Sequence, residues 1–397
     1  MRLTPAARKG RTARDAPAPH ELGPSAEDPG GGAGPPALGR FVDRHPGWSV
    51  LLLTSTLWGL LFVRGGSVLA LGAEPYLRNV STFPRPFITG DPLEDYRSWS
   101  VLPIAAARLV QVSTMRGFAL LQTAILVVGT AGVLGLEARR APRRALVATL
   151  AVFMTAAPAY ALQFVGSYDQ LLVVLLLAAV LVRTDWAAVA IGVALGLTHA
   201  EVGFAALAMV LILGLAGVGD RSRPRCLSLL GLVVARVALQ IWFSRSGLHS
   251  DRWTFIREYG VDSLAGNLLD VWPVVLWSMF GVGWVVVIRA FRDGDRRRRF
   301  ALAGIAVLCL GLCAITLDQS RIAILTMFAP FLVVVLHLST NSDRWFDPAP
   351  SGAGADAPHL LPSVPLWLLT AASLLSPLVV AWVGRVYVFG SPFRLGW

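Results

Sequence analysis

A chain of 397 residues that is 55% hydrophobic and 15% charged, with a mean hydropathy of +0.62, carries more apolar surface than a soluble fold of its size can hide. Its formal charge of +11 comes from one lysine, Lys9, and 34 arginines. These are scattered over short segments between apolar runs, which excludes a nucleic-acid-binding surface and points to a bilayer as the partner. Alternating strands of the outer-membrane barrel kind are absent, so the expectation is an all-α, polytopic membrane protein.

Residues 1–46 are rich in Pro, Gly, Ala and charge, including the run Pro29 to Pro36, and show no apolar period. They read as a disordered cytoplasmic tail, without the short apolar core of a signal peptide. The membrane domain follows over 47–385, with about eleven spans (10–12). They are placed near 48–70, 115–136, 144–164, 170–183, 186–199, 201–218, 226–243, 271–290, 300–316, 322–339 and 362–384. The stretch 186–218 is interrupted by Thr198-His199-Ala200-Glu201. One long helix is an alternative there, but two short spans meeting at the outer surface keep the charge pattern consistent. Residues 386–397 read as a short outer tail.

With the N-terminus inside and the C-terminus outside the cytoplasmic membrane, one side receives the tail, Arg139 to Arg144, Arg183, Arg221 to Arg225, Arg289 to Arg299 and Arg344. Those segments hold 22 of the 35 lysines and arginines, as the positive-inside tendency requires. The other side carries two long loops, 71–114 and 244–270. The first contains Ser98 to Met115, which reads as an amphipathic helix lying at the interface. The second carries Trp253, Phe255, Ile256 and Tyr259, which favour the same depth. Cys309 and Cys313, four apart on one helix face, read as small apolar packing residues, and none of the three cysteines implies a disulfide.

The concentrated polar chemistry falls on the outer side. Asp91, Glu94 and Asp95 lie in the loop segment Gly90 to Arg97, where Gly90 and Pro92 favour a turn. A carboxylate held beside low-dielectric lipid has a raised pKa and can act as a general base, although a solvated acidic turn has the same composition. Asp318-Gln319-Ser320-Arg321 joins two spans with almost no loop. Arg321 can pair with Asp318 three residues away, or offer its planar fork to phosphate oxygens while Asp318 orients it. His199 and Glu201 stand at the interruption of 186–218, either as a hairpin cap or as a phosphate donor and proton acceptor, with no third ligand nearby for zinc. Tyr168 and Asp169 occupy a short turn where helix capping also accounts for Asp169. Asp251 and Arg252 fit ordinary surface charge or a phosphate contact. Arg64 and Arg236 fall inside apolar spans, where an arginine must face protein or water, and Arg236 fits either a lipid phosphate or a buried carboxylate as its partner. Walker, Rossmann, nucleophile-elbow and His-Glu-x-x-His motifs are all missing, which excludes ATP-driven transport by this chain alone.

The layout resembles the integral-membrane glycosyltransferases of the GT-C class that use polyprenyl-phosphate sugars. The shared points are ten or more spans, a cytoplasmic N-terminus, and a long first outer loop with an acidic cluster and interfacial helices. Further ionisable residues stand at outer helix ends, and the likeness covers about residues 48–340. A strict Asp-x-Asp is replaced by Asp91-Pro92-Leu93-Glu94-Asp95. The resemblance implies transfer of a sugar from a polyprenyl-phosphate donor to a glycan or lipid-linked acceptor. Asp91, Asp95 or Glu94 would take the acceptor proton, and Arg321, His199 and Arg252 would bind the donor phosphate. Asp318, Glu201, Tyr168 and Asp169 would support them. No organic cofactor is implied, and a divalent cation is compatible with the acidic loop. A multi-pass transporter or lipid flippase, a glycan polymerase or ligase, and a non-catalytic assembly partner are the competing classes.

Overall fold

The computed structural model describes residues 45–64, 68–69, 73–91, 95, 97–165, 168–219, 223–248, 252–341 and 365–389. Nearly all of the expected tail, together with Glu94, Ser167, Asp251, Arg344 and the last eight residues, lies outside them. The elements are α1 (Pro46–Arg64), β1 (Val68–Leu69), α2 (Ala73–Thr82), a 3-10 turn (Arg97–Trp99), α3 (Val101–Leu109), α4 (Met115–Ala138), α5 (Pro142–Met154) and α6 (Ala157–Gln163). After β2 (Phe164–Val165) come α7 (Asp169–Leu181), α8 (Asp185–Leu215), α9 (Arg223–Arg245), α10 (Arg252–Tyr259) and α11 (Val261–Phe280). A 3-10 turn (Gly281–Gly283) leads to α12 (Trp284–Asp293), α13 (Arg296–Cys313), α14 (Gln319–Asn341), α15 (Leu366–Leu375), β3 (Leu378–Trp382) and β4 (Arg385–Phe389).

The protein is mostly helical, as its composition demands. Among the described residues five helices are long and apolar enough to cross a membrane, or six if the bent pair α5 and α6 counts as one. Shorter apolar helices lie at 47–63, 169–181 and 366–375. Large apolar side chains such as Leu120, Val128, Leu230 and Val237 point outward from α4 and α9, which in water would be costly. Of the five long apolar helices α14 is the most enclosed, and its Phe328, Phe331 and Leu332 are completely buried.

The interrupted stretch folds back on itself. His199 has φ −157 and ψ 87 inside α8, so the helical hydrogen-bond ladder breaks there. A Cβ on Gly203 would sit 3.4 Å from the Leu195 Cβ, whereas eight residues of straight helix span about 12 Å. The two limbs therefore run antiparallel, as the charge pattern requires. The first limb then packs along α9 in the same direction: Arg223 pairs with Asp185 at 3.1 Å. Further along, a Cβ on Gly192 would fall 1.9 Å from the Ser228 carbonyl oxygen. Only glycine allows that approach.

The arginine-rich turns gather at one end of these helices. Glu137, almost fully buried, binds Arg183 and Arg144 from two other turns. Gly219 reaches Val333, in the second half of α14. The opposite helix ends carry Tyr168, His199 and Arg321, which touch one another.

Three expectations are corrected. The last apolar stretch, 362–384, is not one helix: α15 stops before Ser376 and Pro377, and an antiparallel hairpin follows, with Val379 paired to Val388. Its β-branched residues favour strands, and Val383 (φ 49) with Gly384 (φ 66) makes a two-residue turn with both centres left-handed. The hairpin also takes up residues to Phe389 that read as tail. The 244–270 segment is largely helical, since α9 runs to Arg245 and α11 starts at Val261. Finally, the 48–70 helix ends at Arg64, and β1 pairs in parallel with β2. The 71–114 segment does hold short helices, with Pro103, Ile104 and Ala107 buried under α3.

Candidate functional site

Arg321 is the centre of the polar end. Its Nη2 donates to Asp169 Oδ1 at 2.8 Å, and its Nε lies 2.8 Å from Asp169 Oδ2. Nη1 makes only a 3.3 Å contact with Asp318 Oδ2. The guanidinium also lies over the Tyr168 ring, 4.8 Å from its centroid. Asp169 is 1% exposed, while Asp318 retains 28% of its side-chain surface. The two carboxylates therefore do different work: Asp169 fixes the arginine from within, and Asp318 meets it from a partly exposed position. Crowding by protein and the nearby Asp169 charge push the Asp318 carboxyl up to about 6, with burial the larger cause and Arg321 opposing both. Burial likewise pushes the Tyr168 hydroxyl up to about 12 against the pull of Arg321, so it stays protonated.

Tyr168 couples this group to a second one. Its ring meets the His199 ring edge-on at 4.9 Å and the Tyr76 ring at 5.8 Å. His199 Nδ1 lies 3.2 Å from Glu201 Oε2, and Arg236 Nη2 lies 3.4 Å from Glu201 Oε1. Arg236 also stacks 3.7 Å above the Trp99 ring, a close cation–π contact. Tyr76, Trp99, Tyr168, His199, Glu201 and Arg236 line one narrow cleft. The fold-back at His199 places these groups: the break turns His199 and Glu201 toward Arg236 instead of along one helix.

The acidic loop stands beside the cleft through Trp99. Asp95 is spent on local structure: Oδ1 accepts from the Thr89 N–H (2.6 Å) and hydroxyl (2.8 Å), and Oδ2 from the Gly90 N–H (3.1 Å). It is 5% exposed. Such a carboxylate organises a turn and has little room for an acceptor hydroxyl. Asn79 ties the same loop down, accepting from the Phe87 N–H and the Ser98 hydroxyl at 3.0 and 2.9 Å. Asp91 is exposed on this loop, its N–H donating to Thr89 Oγ1. Of Arg252 only the backbone, at the start of α10, is described.

The structure brings together Tyr168, Asp169, His199, Glu201, Asp318 and Arg321, all singled out in the sequence, where capping accounted for Asp169 equally well. It is the anchor of Arg321. Trp99 and Tyr76 were missed as members, and Arg236, singled out in the sequence, was not assigned to this group. An arginine in the middle of an apolar span was the available signal for Arg236. Among the described residues no group of three or more His, Cys, Asp or Glu gathers in metal-binding geometry. Cys309 and Cys313 are buried, bonded to Thr326 Oγ1 and the Gln319 carbonyl.

No family model, curated protein or solved structure matches this chain.

Proposed function

We propose that this chain is a membrane glycosyltransferase that takes a sugar from a polyprenyl-phosphate donor and adds it to an envelope acceptor at the outer face of the cytoplasmic membrane. The single observation that carries the reading is Arg321, locked by buried Asp169 and stacked on Tyr168, with Nη1 held only by a 3.3 Å contact to partly exposed Asp318. A donor phosphodiester leaving as a phosphate gains charge, and a pre-positioned guanidinium stabilises it without reorganising. Asp318 neutralises this arginine in the empty site and gives way as the anion arrives. His199 and Arg236, across Tyr168, offer a second set of donors. Asp91 is assigned the acceptor proton, because Asp95 is committed to Thr89 and Gly90. Glu94 remains a further candidate from the sequence. No metal or organic cofactor is part of the proposed reaction.

The proposed topology has eleven crossings with the N-terminus inside. The fold-back at His199 supplies two of them, and α15 with its hairpin supplies the last. Several are short: 13 residues of α7 rise about 20 Å, less than a bilayer core of about 30 Å. The bilayer is then locally thin there, or the polar cleft dips into it.

The test is direct. The full chain in liposomes is offered labelled polyprenyl-phosphate hexoses and pentoses with short glycan acceptors. One donor should support transfer, and Arg321→Gln, which also leaves buried Asp169 unpaired and lowers stability, should reduce it by about 10²–10³-fold per folded molecule. Transfer from no donor, or full activity in both Arg321→Gln and Asp91→Asn, overturns the proposal.

A further inference from the structure

The turn between α12 and α13 and its flanks hold six arginines, Arg289, Arg292 and Arg296 to Arg299, against two aspartates, Asp293 and Asp295. Part of this charge is committed to the turn itself. Arg289 Nε lies 3.4 Å from Asp293 Oδ2. Arg299 donates from Nε to the Phe291 carbonyl at 2.9 Å and from Nη2 to the Arg292 carbonyl at 2.8 Å, which closes the end of α12. Asp295 accepts the Arg298 N–H at 2.9 Å and starts α13. A Cβ at Gly294 would stand 2.8 Å from the Ala290 carbonyl oxygen and 3.1 Å from the Arg298 Cβ, so the two helices meet tightly.

The remaining arginines are not used in this way. Arg292, Arg296 and Arg297 are exposed and have no carboxylate partner among the described residues. The Nε of Arg298 is enclosed and has no acceptor there either, which is costly for a charged donor. Like charges gathered on one rigid turn repel one another, and an anion from outside the chain relieves that repulsion.

Helical spacing decides which anion. Ile288, exposed on α12, stands four residues before Arg292, so the two share a face. On α13 Phe300 is exposed four residues after Arg296, and Val307 is exposed two turns further on. The Arg296 guanidinium lies 5.5 Å from the Phe300 ring centroid. Two outward apolar stripes therefore end in arginine at one turn. A free phosphate would answer the charge and leave Ile288, Phe300 and Val307 uncovered. A phospholipid covers both: its chains lie along the stripes, and its phosphate reaches the guanidiniums four residues, or about 6 Å, beyond the apolar side chains. α4 also ends in exposed arginines, Arg139 and Arg140, next to exposed Leu136. The helix after it, α5, is buried from Val147 to Met154 and supplies no second stripe.

We infer that the turn between α12 and α13 binds the headgroup of an anionic phospholipid from the leaflet at the arginine-rich end. Arg292, Arg296 and Arg297 meet the phosphate, and Ile288, Phe300 and Val307 lie against the chains.

Lipid binding to the full chain tests this. The protein in detergent is titrated with phosphatidylglycerol and, separately, with phosphatidylcholine, and bound lipid is counted by native mass spectrometry. Phosphatidylglycerol should bind at least about tenfold more tightly. Changing Arg292, Arg296 and Arg297 together to Gln should weaken its binding about 10–100-fold. Changing Arg139, Arg140 and Arg143 together to Gln removes the same charge from the turn after α4 and should weaken it less than about threefold. Arg297→Gln alone, an exposed single change, should weaken it about fivefold and keeps the test open if the triple variant misfolds. Equal losses in the two triple variants would reduce the arginines to general charge and overturn the site. Equal binding of the two lipids overturns it too, as does displacement of phosphatidylglycerol by inorganic phosphate at equal concentration. Unchanged affinity in the folded triple variant, or in Arg297→Gln where the triple variant misfolds, has the same consequence.

Discussion

Arg321 is clamped by Asp169, a residue 152 positions earlier in the chain, through contacts of 2.8 Å at both carboxylate oxygens. The pair ties the start of α14 to the start of α7. Removing one partner leaves a buried charge without compensation, which typically costs about 3–5 kcal/mol. Asp169→Ala should therefore lower the unfolding temperature in detergent sharply. Asp318→Ala removes only a 3.3 Å contact from a partly open carboxylate and should cost under about 1 kcal/mol. Equal effects of the two substitutions would show that Asp169 is not the anchor.

The pH dependence of Asp318 has a definite sign. Its folded-state value, about 6, lies above the ordinary 3.8, so the folded protein binds the proton more tightly than the unfolded chain. Stability contributed by this group is present below about 4, falls as pH rises through 4–6, and stays lost above that window. Asp318→Asn should flatten the decline, and the gap between variant and parent should widen by roughly 1–2 kcal/mol between pH 4 and 7. Anion affinity should follow the same group: inorganic phosphate should bind Arg321 more tightly at pH 5 than at pH 7.5. Parallel unfolding curves for the two proteins across that range would remove Asp318 as the titrating group.

Helical glycines divide by what surrounds them. A Cβ at Gly192 would meet the Ser228 carbonyl at 1.9 Å, so Gly192→Ala must push α9 away or break the first limb. Its cost should be several kcal/mol, at the upper end for single substitutions. Gly132, in α4, has nothing within 4 Å of its would-be Cβ. Gly132→Ala should be neutral or stabilising by up to about 1 kcal/mol, from helix propensity alone. Thermal unfolding of the two variants side by side decides this. A harmless Gly192→Ala would mean that the α8–α9 packing is looser than described.

Much of this arrangement was readable because apolar length and charge placement are local properties. The His199 interruption was legible in Thr198-His199-Ala200-Glu201, since polar residues in the middle of a 33-residue apolar stretch need a reason to be there. The sequence placed Arg144 and Arg183 on one side for the same reason, but not Glu137, which holds both. The partner of Arg321 was not, because Asp318 is its sequence neighbour while Asp169 reaches it only through tertiary packing. Asp95 was ambiguous in the sequence, because a carboxylate in an acidic loop looks the same whether it faces substrate or staples Thr89 and Gly90. The hairpin 378–389 was hidden by composition: Leu378 to Trp382 is apolar enough to extend a span, and only Pro377 and the Val383-Gly384 turn mark the change of structure.

The sidedness of the two helix ends gives the last prediction. In the proposed topology Ser113, exposed just before α4, faces outside with Tyr168 and Arg321, while Arg297, exposed at the start of α13, faces the cytoplasm. Cys226 is exposed at the arginine end, and Cys309 and Cys313 are buried, so a Cys226→Ser background silences the accessible native thiol. On that background Ser113→Cys should react with a membrane-impermeant maleimide in intact cells. Arg297→Cys should react only after the membrane is opened. The positive-inside tendency favours this orientation, because Arg289, Arg292 and Arg296 to Arg299 crowd one turn with only Asp293 and Asp295 to offset them. Labelling of Arg297→Cys in intact cells would invert the chain and place the Arg321 cleft on the cytoplasmic face. Labelling of both sites from outside would mean that an odd number of the short segments between them does not cross.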